Sequence, residues 1–279
     1  MTYRWANSSI GDDLQITLST FQSGLTVDLI ATRRADFATC TQDEALSSVV
    51  ERNRHYQFDY LPVLGSAEAS KPGSIIGLIE IAPFMHGLAP AGMVRNVMCP
   101  LSEDNLIGGD ASILTFVRAA DHQRCRLVVS GHEISGLVSL SDLQRLPVRA
   151  ALFGLVTCLE MIMANVIRQE FDGVSWLECL SEGRRQKLQA EIAKARNADA
   201  LVDLLLFTQF ADKATILRKA PNVIRGDRNF QNDVKAIQAL RDHLAHANDY
   251  AASAADARNV CAVVRSIDTW MVELSRHPR

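Results

Sequence analysis

CRLVVSGHEISGLVSLSDLQRLP, residues Cys125–Pro147, decides the fold of the first half of the chain. The runs Cys125–Gly131 and Ile134–Leu140 are short and apolar, which is typical of strands. The residues SGHE at their junction predict a tight hairpin turn. A helical pattern, Asp110–Ala120, precedes the hairpin. This stretch therefore predicts the order helix, strand, turn, strand.

The same order occurs once before in the chain. A helical pattern, Gln42–Arg54, is followed by FDYLPVLG and then by the apolar run Ser74–Ile81. A further run, Leu25–Ile30 (LTVDLI), also predicts a strand. The spacing indicates an internal duplication with a period of about 60 residues.

These two copies, roughly residues 22–149, resemble a tandem pair of CBS domains. The resemblance implies α/β modules that meet at a pseudo-two-fold cleft and bind an adenine nucleotide. The diagnostic run of that family is Gly, two apolar residues, Thr or Ser, two more residues and Asp. Here it supplies Gly136, Ser139 and Asp142 as nucleotide-binding candidates.

Each of these residue types suits its place. Gly136 has no Cβ and lets the strand start close to a ligand. The hydroxyl of Ser139 can donate to a phosphate, and Asp142 can accept from both ribose hydroxyls. The alternative is that Ser-x-x-Asp before an apolar run is only a helix-capping pattern.

The first copy departs from this pattern. Its equivalent run places Glu80 where a phosphate donor is needed and Pro83 where the ribose carboxylate is needed. A negative charge disfavours phosphate, so we expect at most one conventional nucleotide site in the chain.

The sequence of the second half of the chain has a helical pattern throughout. A helix is predicted over Ala150–Phe171. Its part Ala150–Ile167 is apolar and has about the minimum length that spans a membrane, but Glu160 lies in its middle, which favours a buried helix of a soluble protein. Four or five helices over about 130 residues predict a bundle. The expected fold class is α+β, with an N-terminal segment (1–21), an α/β pair (22–149) and an all-α domain (150–279).

The run QALRDHLAHAN, Gln238–Asn248, resembles the signature of HEPN domains, which is Arg, a polar residue, and His four to six residues beyond. Arg241, Asp242 and His246 match it. That family consists of helical, usually dimeric proteins, many of them metal-independent ribonucleases of toxin or defence systems. The resemblance implies a homodimer with RNA as the substrate.

Helix geometry sets a condition on this site. On a straight helix Arg241 and His246 point about 140° apart and are separated by about 7.5 Å along the axis. They can line one groove only if the helix faces a partner or bends near Ala245. The other arrangement, His243 with His246, suits a metal pair but lacks a third ligand nearby.

The catalytic roles follow from acid–base chemistry. An imidazole can act as a general acid or base, so His246 can exchange protons with the ribose 2′-hydroxyl or the leaving oxygen. Arg241 can clamp the scissile phosphate, so no metal is required, and Glu160 can pair with Arg241 and orient it. The alternatives are a salt bridge without a catalytic role for Glu160 and an exposed helical pair of no consequence for Arg241 and His246.

Composition limits the class of protein. The net charge is −3, the pI is about 6.2 and the mean hydropathy is +0.03, which predicts a globular protein without broad electrostatic capture of nucleic acid. The six cysteines form no CxxC pair, and the N-terminus has no apolar signal region, which together predict a cytoplasmic protein with reduced thiols.

The sequence thus favours a nucleotide-regulated endoribonuclease, a toxin or antiviral effector that needs no cofactor beyond a regulatory adenine nucleotide. Two alternatives remain. One is a non-catalytic nucleotide sensor whose helical domain dimerises or docks a partner, and the other is a scaffold whose first half binds nothing.

Overall fold

The computed structural model describes residues 10–66, 73–85, 91–197, 203–221, 223–224 and 228–276. The chain forms two compact units, an α/β unit over Thr26–Asp142 and a helical unit that combines the first helix with the chain from Leu143 onward. The α-helices are α1 (Ile10–Ser23), α2 (Leu46–Tyr56), α3 (Ile113–Ala119), α4 (Leu146–Glu170), α5 (Glu182–Asn197), α6 (Phe210–Lys219), α7 (Arg228–Ala245) and α8 (Ala254–Ser275). The strands are β1 (Thr32–Arg33), β2 (Cys40–Thr41), β3 (Tyr60–Leu64), β4 (Ile75–Glu80), β5 (Cys99–Pro100), β6 (Leu106–Gly108), β7 (Cys125–Ser130) and β8 (Glu133–Ser139). The predicted α+β fold class is confirmed.

The α/β unit contains two four-stranded sheets of the same construction, with strand orders β2-β3-β4-β5 and β6-β7-β8-β1. In each sheet a parallel pair (β2 with β3, β6 with β7) is followed by an antiparallel hairpin (β3 with β4, β7 with β8). The β7–β8 hairpin closes through a two-residue turn in which Gly131 has φ 63° and Ser130 pairs with Glu133. The predicted duplication is therefore present in the topology.

The fourth strand of each sheet comes from the chain that precedes the other copy. β1 precedes the first copy and pairs with β8, while β5 precedes the second copy and pairs with β4. The isolated bridges Thr26–Ser112 and Ala45–Met93 repeat the same exchange. The two copies are thus related as a pseudo-two-fold pair with exchanged edges.

The sequence run LTVDLI, Leu25–Ile30, is not a strand. It forms the short 3₁₀ helix Val27–Leu29, in which Val27 and Ile30 are buried and Asp28 is exposed. The backbone amides of Val27 and Asp28 bond to the carbonyls of Ala111 and Gly109. The strand prediction was wrong because an apolar run of six residues cannot distinguish a strand from a buried turn.

The helical unit is built on α4, which packs against α1, α6, α7 and α8. Within the described residues, α4 is the one helix long and apolar enough to cross a membrane by length and composition, and 61% of its most apolar 18-residue window is buried inside the structure. Among the described residues from 146 onward there are five α-helices, α4–α8, which agrees with the predicted four or five. Helix α1 packs on α4 through the Phe21 ring, which occupies the space where a Cβ of Gly154 would lie.

Candidate functional sites

The nucleotide candidate of the second copy lies where β8 ends in the 3₁₀ helix Leu140–Gln144. Asp142 is 4% exposed, and its Oδ2 accepts hydrogen bonds from the backbone amide of Ser139 at 2.7 Å and from the Ser139 hydroxyl at 3.3 Å. The hydroxyls of Ser139 and Ser141 are 2.8 Å apart. The structure brings Ser139 and Asp142 together in the geometry of a helix cap, which is the alternative that the sequence left open. This cap fixes one carboxylate and two hydroxyls at the end of the strand.

Gly136 is explained by the neighbouring strand. A Cβ at Gly136 would lie 2.7 Å from the carbonyl oxygen of Thr32 in β1. Gly77 has the equivalent place in the first copy, where a Cβ would lie 2.4 Å from the carbonyl oxygen of Cys99 in β5. The missing side chain of Gly136 therefore makes room for the exchanged edge strand, and the approach of a ligand at Gly136 stays a prediction.

In the first copy, Glu80 is held by its own partners. Its Oε1 accepts a hydrogen bond from the Tyr60 hydroxyl at 3.2 Å and lies 3.7 Å from Nη1 of Arg124. Burial, together with the charge of Glu80, raises the pKa of Tyr60, so the hydroxyl stays protonated and donates. The carboxylate therefore stands at the end of β4, where the second copy has the Ser139 hydroxyl.

Carboxylates of both copies act on one buried thiol. Burial raises the pKa of Cys125 at the start of β7, and the charges of Asp142, Asp59 and Glu80 raise it further. Charged groups at the ends of β4 and β8 therefore act on the same buried thiol.

The second candidate site is a chain of charges in the helical unit. Glu160 of α4 accepts from Nζ of Lys213 at 3.0 Å, and its other oxygen lies 3.6 Å from Nε of Arg241. Lys213 is 5% exposed and also donates to the carbonyl of Thr208 at 2.7 Å. Nη1 of Arg241 lies 3.7 Å from the Asp242 carboxylate. The predicted pairing of Glu160 with Arg241 is present, and Lys213 extends it.

His246 lies just beyond the end of α7. The helix ends at Ala245, the backbone amide of His246 donates to the carbonyl of Asp242 at 3.1 Å, and Ala247 takes the left-handed conformation with φ 54°. His246 is exposed. Because this bond from His246 to Asp242 continues the helical pattern and the chain turns only at Ala247, His246 keeps an angle of about 140° from Arg241 around the helix axis.

His243 has a different environment. It lines a groove of about 370 Å³ between α7 and α8 together with Asp233 and Asp256. Across the part of the chain that the structure describes, no three His, Cys, Asp or Glu residues are grouped so as to hold a metal ion. The metal pair of His243 with His246 thus gains no third ligand among the described residues.

Lys213 is the site residue that sequence reasoning missed. It belongs to the buried face of α6, together with Phe210, Ala214 and Leu217. A lysine on an apolar helical stripe is the signal that could have found it, because a buried ammonium needs a carboxylate partner. A cavity of about 240 Å³ adjoins this group, lined by Glu160, Lys213 and the exposed Met161 among others.

Three solved structures are similar to about half of this chain. The CBS domain of a bacterial CNNM/CorC family Mg²⁺ transporter in complex with ATP is 16% identical, with 47% of this chain and 93% of that chain covered at a TM-score of 0.36. CBSX2 in complex with AMP is 15% identical, with 46% and 96% covered at 0.36, and the CBS domains of a transcriptional regulator from Streptococcus pneumoniae are 14% identical, with 42% and 95% covered at 0.34. No protein-family model and no curated protein matches the chain.

Proposed function

We propose that this protein is a nucleotide-regulated, metal-independent endoribonuclease of the cytoplasm, a toxin or antiviral effector. Its α/β unit is the sensor, a CBS pair, and its helical unit is the HEPN-like nuclease. The observation that carries the proposal is the pair of Glu160 with Arg241 on α7, with an exposed His246 in the turn that ends the same helix.

The chemistry is attack of a ribose 2′-oxygen on the adjacent phosphorus. The 2′-O–P bond forms and the P–O5′ bond breaks, which gives a 2′,3′-cyclic phosphate and a 5′-hydroxyl. His246 takes the 2′-hydroxyl proton or returns one to the leaving oxygen. Arg241, 37% exposed, contacts carboxylates through Nε and Nη1, and we assign its Nη2 to the phosphate. Glu160 orients Arg241, and Asp242 fixes the other side of the guanidinium.

A homodimer brings two such groups to one cleft. The exposed residues of α4 include Phe153 at 47% and Met161 at 40%, which are about 80° apart around the helix and so fall within one stripe about 100° wide. Met161 also lines the cavity beside Glu160. Pairing of two copies through this face would bury an apolar stripe and set the two Glu160–Arg241 pairs beside the same interface.

The regulatory ligand is an adenine nucleotide at the cap of Ser139 and Asp142. The support is the buried carboxylate and the two hydroxyls fixed at the end of β8. Regulation requires that the nucleotide bind two packing states of the protein with different affinity.

The nuclease proposal is tested with purified protein and labelled RNA. Arg241→Ala and His246→Asn should each lower cleavage by at least about 100-fold, whereas His243→Asn, three residues away, should leave it unchanged. The products should carry 2′,3′-cyclic phosphate ends and form in the presence of a chelator. Cleavage that persists in both variants would remove the assignment.

The sensor proposal is tested by calorimetry with AMP and with ATP. Asp142→Asn keeps the shape of the side chain and should weaken binding by at least about 10-fold, because a charged hydrogen bond to the ribose is lost. Equal heats in the wild type and the variant would exclude this site, and the absence of any heat would leave a scaffold.

A non-catalytic regulator is the second candidate. It is favoured by the two carboxylates that already face Arg241, an arrangement that a structural salt bridge also explains. Expression in cells separates the two candidates. A ribonuclease slows growth and its Arg241→Ala variant does not, whereas a regulator gives the same growth with both chains.

A further inference from the structure

The turn that carries His246 is closed by a specific set of backbone bonds. Ala247 has φ 54°, and the amide of Asn248 donates to the carbonyl of His243 at 3.0 Å. In this pattern a residue in the left-handed conformation ends the helix, and the chain then leaves the helix axis. The last carbonyls of α7 point out of the helix end and need donors from elsewhere.

One side chain supplies those donors. Nη1 of Arg149 donates to the carbonyls of His243 at 3.1 Å and Leu244 at 3.2 Å, and its Nη2 donates to the carbonyl of Asn248 at 2.7 Å. These acceptors lie on both sides of His246 in the chain. A guanidinium also carries the charge that the negative end of a helix dipole attracts.

Arg149 is held in place in turn. Its Cζ lies 4.9 Å from the centre of the Tyr250 ring, and the buried Tyr250 donates its hydroxyl to the carbonyl of Leu143. Burial raises the pKa of Tyr250 to about 12, so the hydroxyl keeps its proton at neutral pH. The residues on both sides of the turn are therefore hydrogen-bonded to Arg149 in the first turn of α4 and to Leu143 just before α4.

The geometry points to Arg149 as a positioning residue for His246, and we infer that it fixes the imidazole relative to Arg241 for cleavage. The inference rests on the proposed ribonuclease function. Arg149 touches no part of the reacting group and acts through three carbonyls. Its loss leaves Arg241 and Glu160 in place but frees the turn after Ala245, so it should lower turnover rather than RNA binding.

Two variants and one matched control test this inference. Arg149→Met removes the three donors, and Arg149→Lys keeps the charge but cannot bridge three carbonyls. Arg168→Lys is the control, since Arg168 lies on the same helix and donates from Nε to Asp203 at 2.8 Å. We expect kcat to fall by about 100-fold in Arg149→Met with KM within about 2-fold, a smaller fall in Arg149→Lys, and no fall in the control.

The second readout is the NMR signal of the His246 imidazole, assigned by its loss in His246→Asn. In Arg149→Met it should move towards the position of an unstructured histidine, and in Arg168→Lys it should stay. If the wild-type chain cleaves no RNA, the ribonuclease proposal fails, and the NMR signal alone decides whether Arg149 positions His246. Should Arg149→Met not fold, Arg149→Lys and Tyr250→Phe are measured in its place. An unmoved signal, or turnover equal to that of the control, overturns the inference.

Discussion

Replacing Lys213 with methionine removes the ammonium from the buried end of the charge chain. Glu160 then loses its partner at 3.0 Å and keeps only Arg241 at 3.6 Å, and the carbonyl of Thr208 loses its donor. Removing one partner of a buried ion pair costs about 3–5 kcal/mol, because the remaining charge is left uncompensated. Since Arg241 still faces Glu160, we expect the free energy of unfolding to fall by about 3 kcal/mol.

The assay is urea unfolding followed by far-ultraviolet circular dichroism. The double variant Glu160→Gln with Lys213→Met buries no unpaired charge, so it should regain at least about half of the loss. The matched control is Arg52→Met, which breaks an exposed pair with Glu44 of similar length, 2.9 Å, and should cost no more than about 1 kcal/mol. If Lys213→Met is as stable as Arg52→Met, or the double variant is less stable than the single one, the buried pair does not have the role described.

Three further predictions concern stability, each checked by the same unfolding measurement. Gly136→Ala should lower the free energy of unfolding by about 1–3 kcal/mol, because the new Cβ would lie 2.7 Å from the backbone of β1. Gly183→Ala in α5 is the control: the space around Gly183 is open, so this change should raise the free energy of unfolding by up to about 1 kcal/mol. Ala247→Gly should raise it by about 0.5–1 kcal/mol, since φ 54° strains alanine, and equal stability would argue against the left-handed turn. Burial raises the pKa of Cys40 to about 12 and that of Cys158 to about 11, so as the pH rises above 9.0 these thiols ionise first in the unfolded chain. Each of the two thiols should therefore lower the free energy of unfolding by about 1.4 kcal/mol per pH unit. A free energy of unfolding that stays constant between about pH 8 and about pH 10.5 would contradict this.

Local sequence patterns were sufficient to predict much of the α/β unit. The predicted hairpin over Cys125–Leu140 corresponds to β7 and β8, and the predicted helices correspond to α2 and α3. These elements depend on residues close in sequence, which alternation and helical spacing report directly. The duplication was also visible, because both copies repeat the same local order.

The exchange of edge strands could not be predicted in this way. β1 pairs with β8 across about a hundred residues (Thr32 with Leu137), and β1 and β5 have only two residues each. Such short strands have no periodicity of their own, and their partners are fixed by tertiary packing. The close approach of β1 to Gly136 could not be predicted for the same reason.

The helical site was predicted in part. Glu160 stood out because a carboxylate in the middle of an apolar helix needs a cation, and the structure supplies both Arg241 and Lys213. Arg149 gave no such signal, since its partners are backbone carbonyls that any residue provides. RNA cleavage by Arg241 and His246 remains a prediction that rests on the sequence motif.

The exchanged edge strands limit where this chain can be shortened. Neither copy of the α/β repeat contains all four strands of its sheet. A fragment that begins after Arg33 would lack β1 and leave one edge of β8 unpaired, and a fragment that ends before Cys99 would lack β5 and leave one edge of β4 unpaired. Open strand edges invite pairing with other chains. Truncated versions should therefore associate with other chains through these open strand edges.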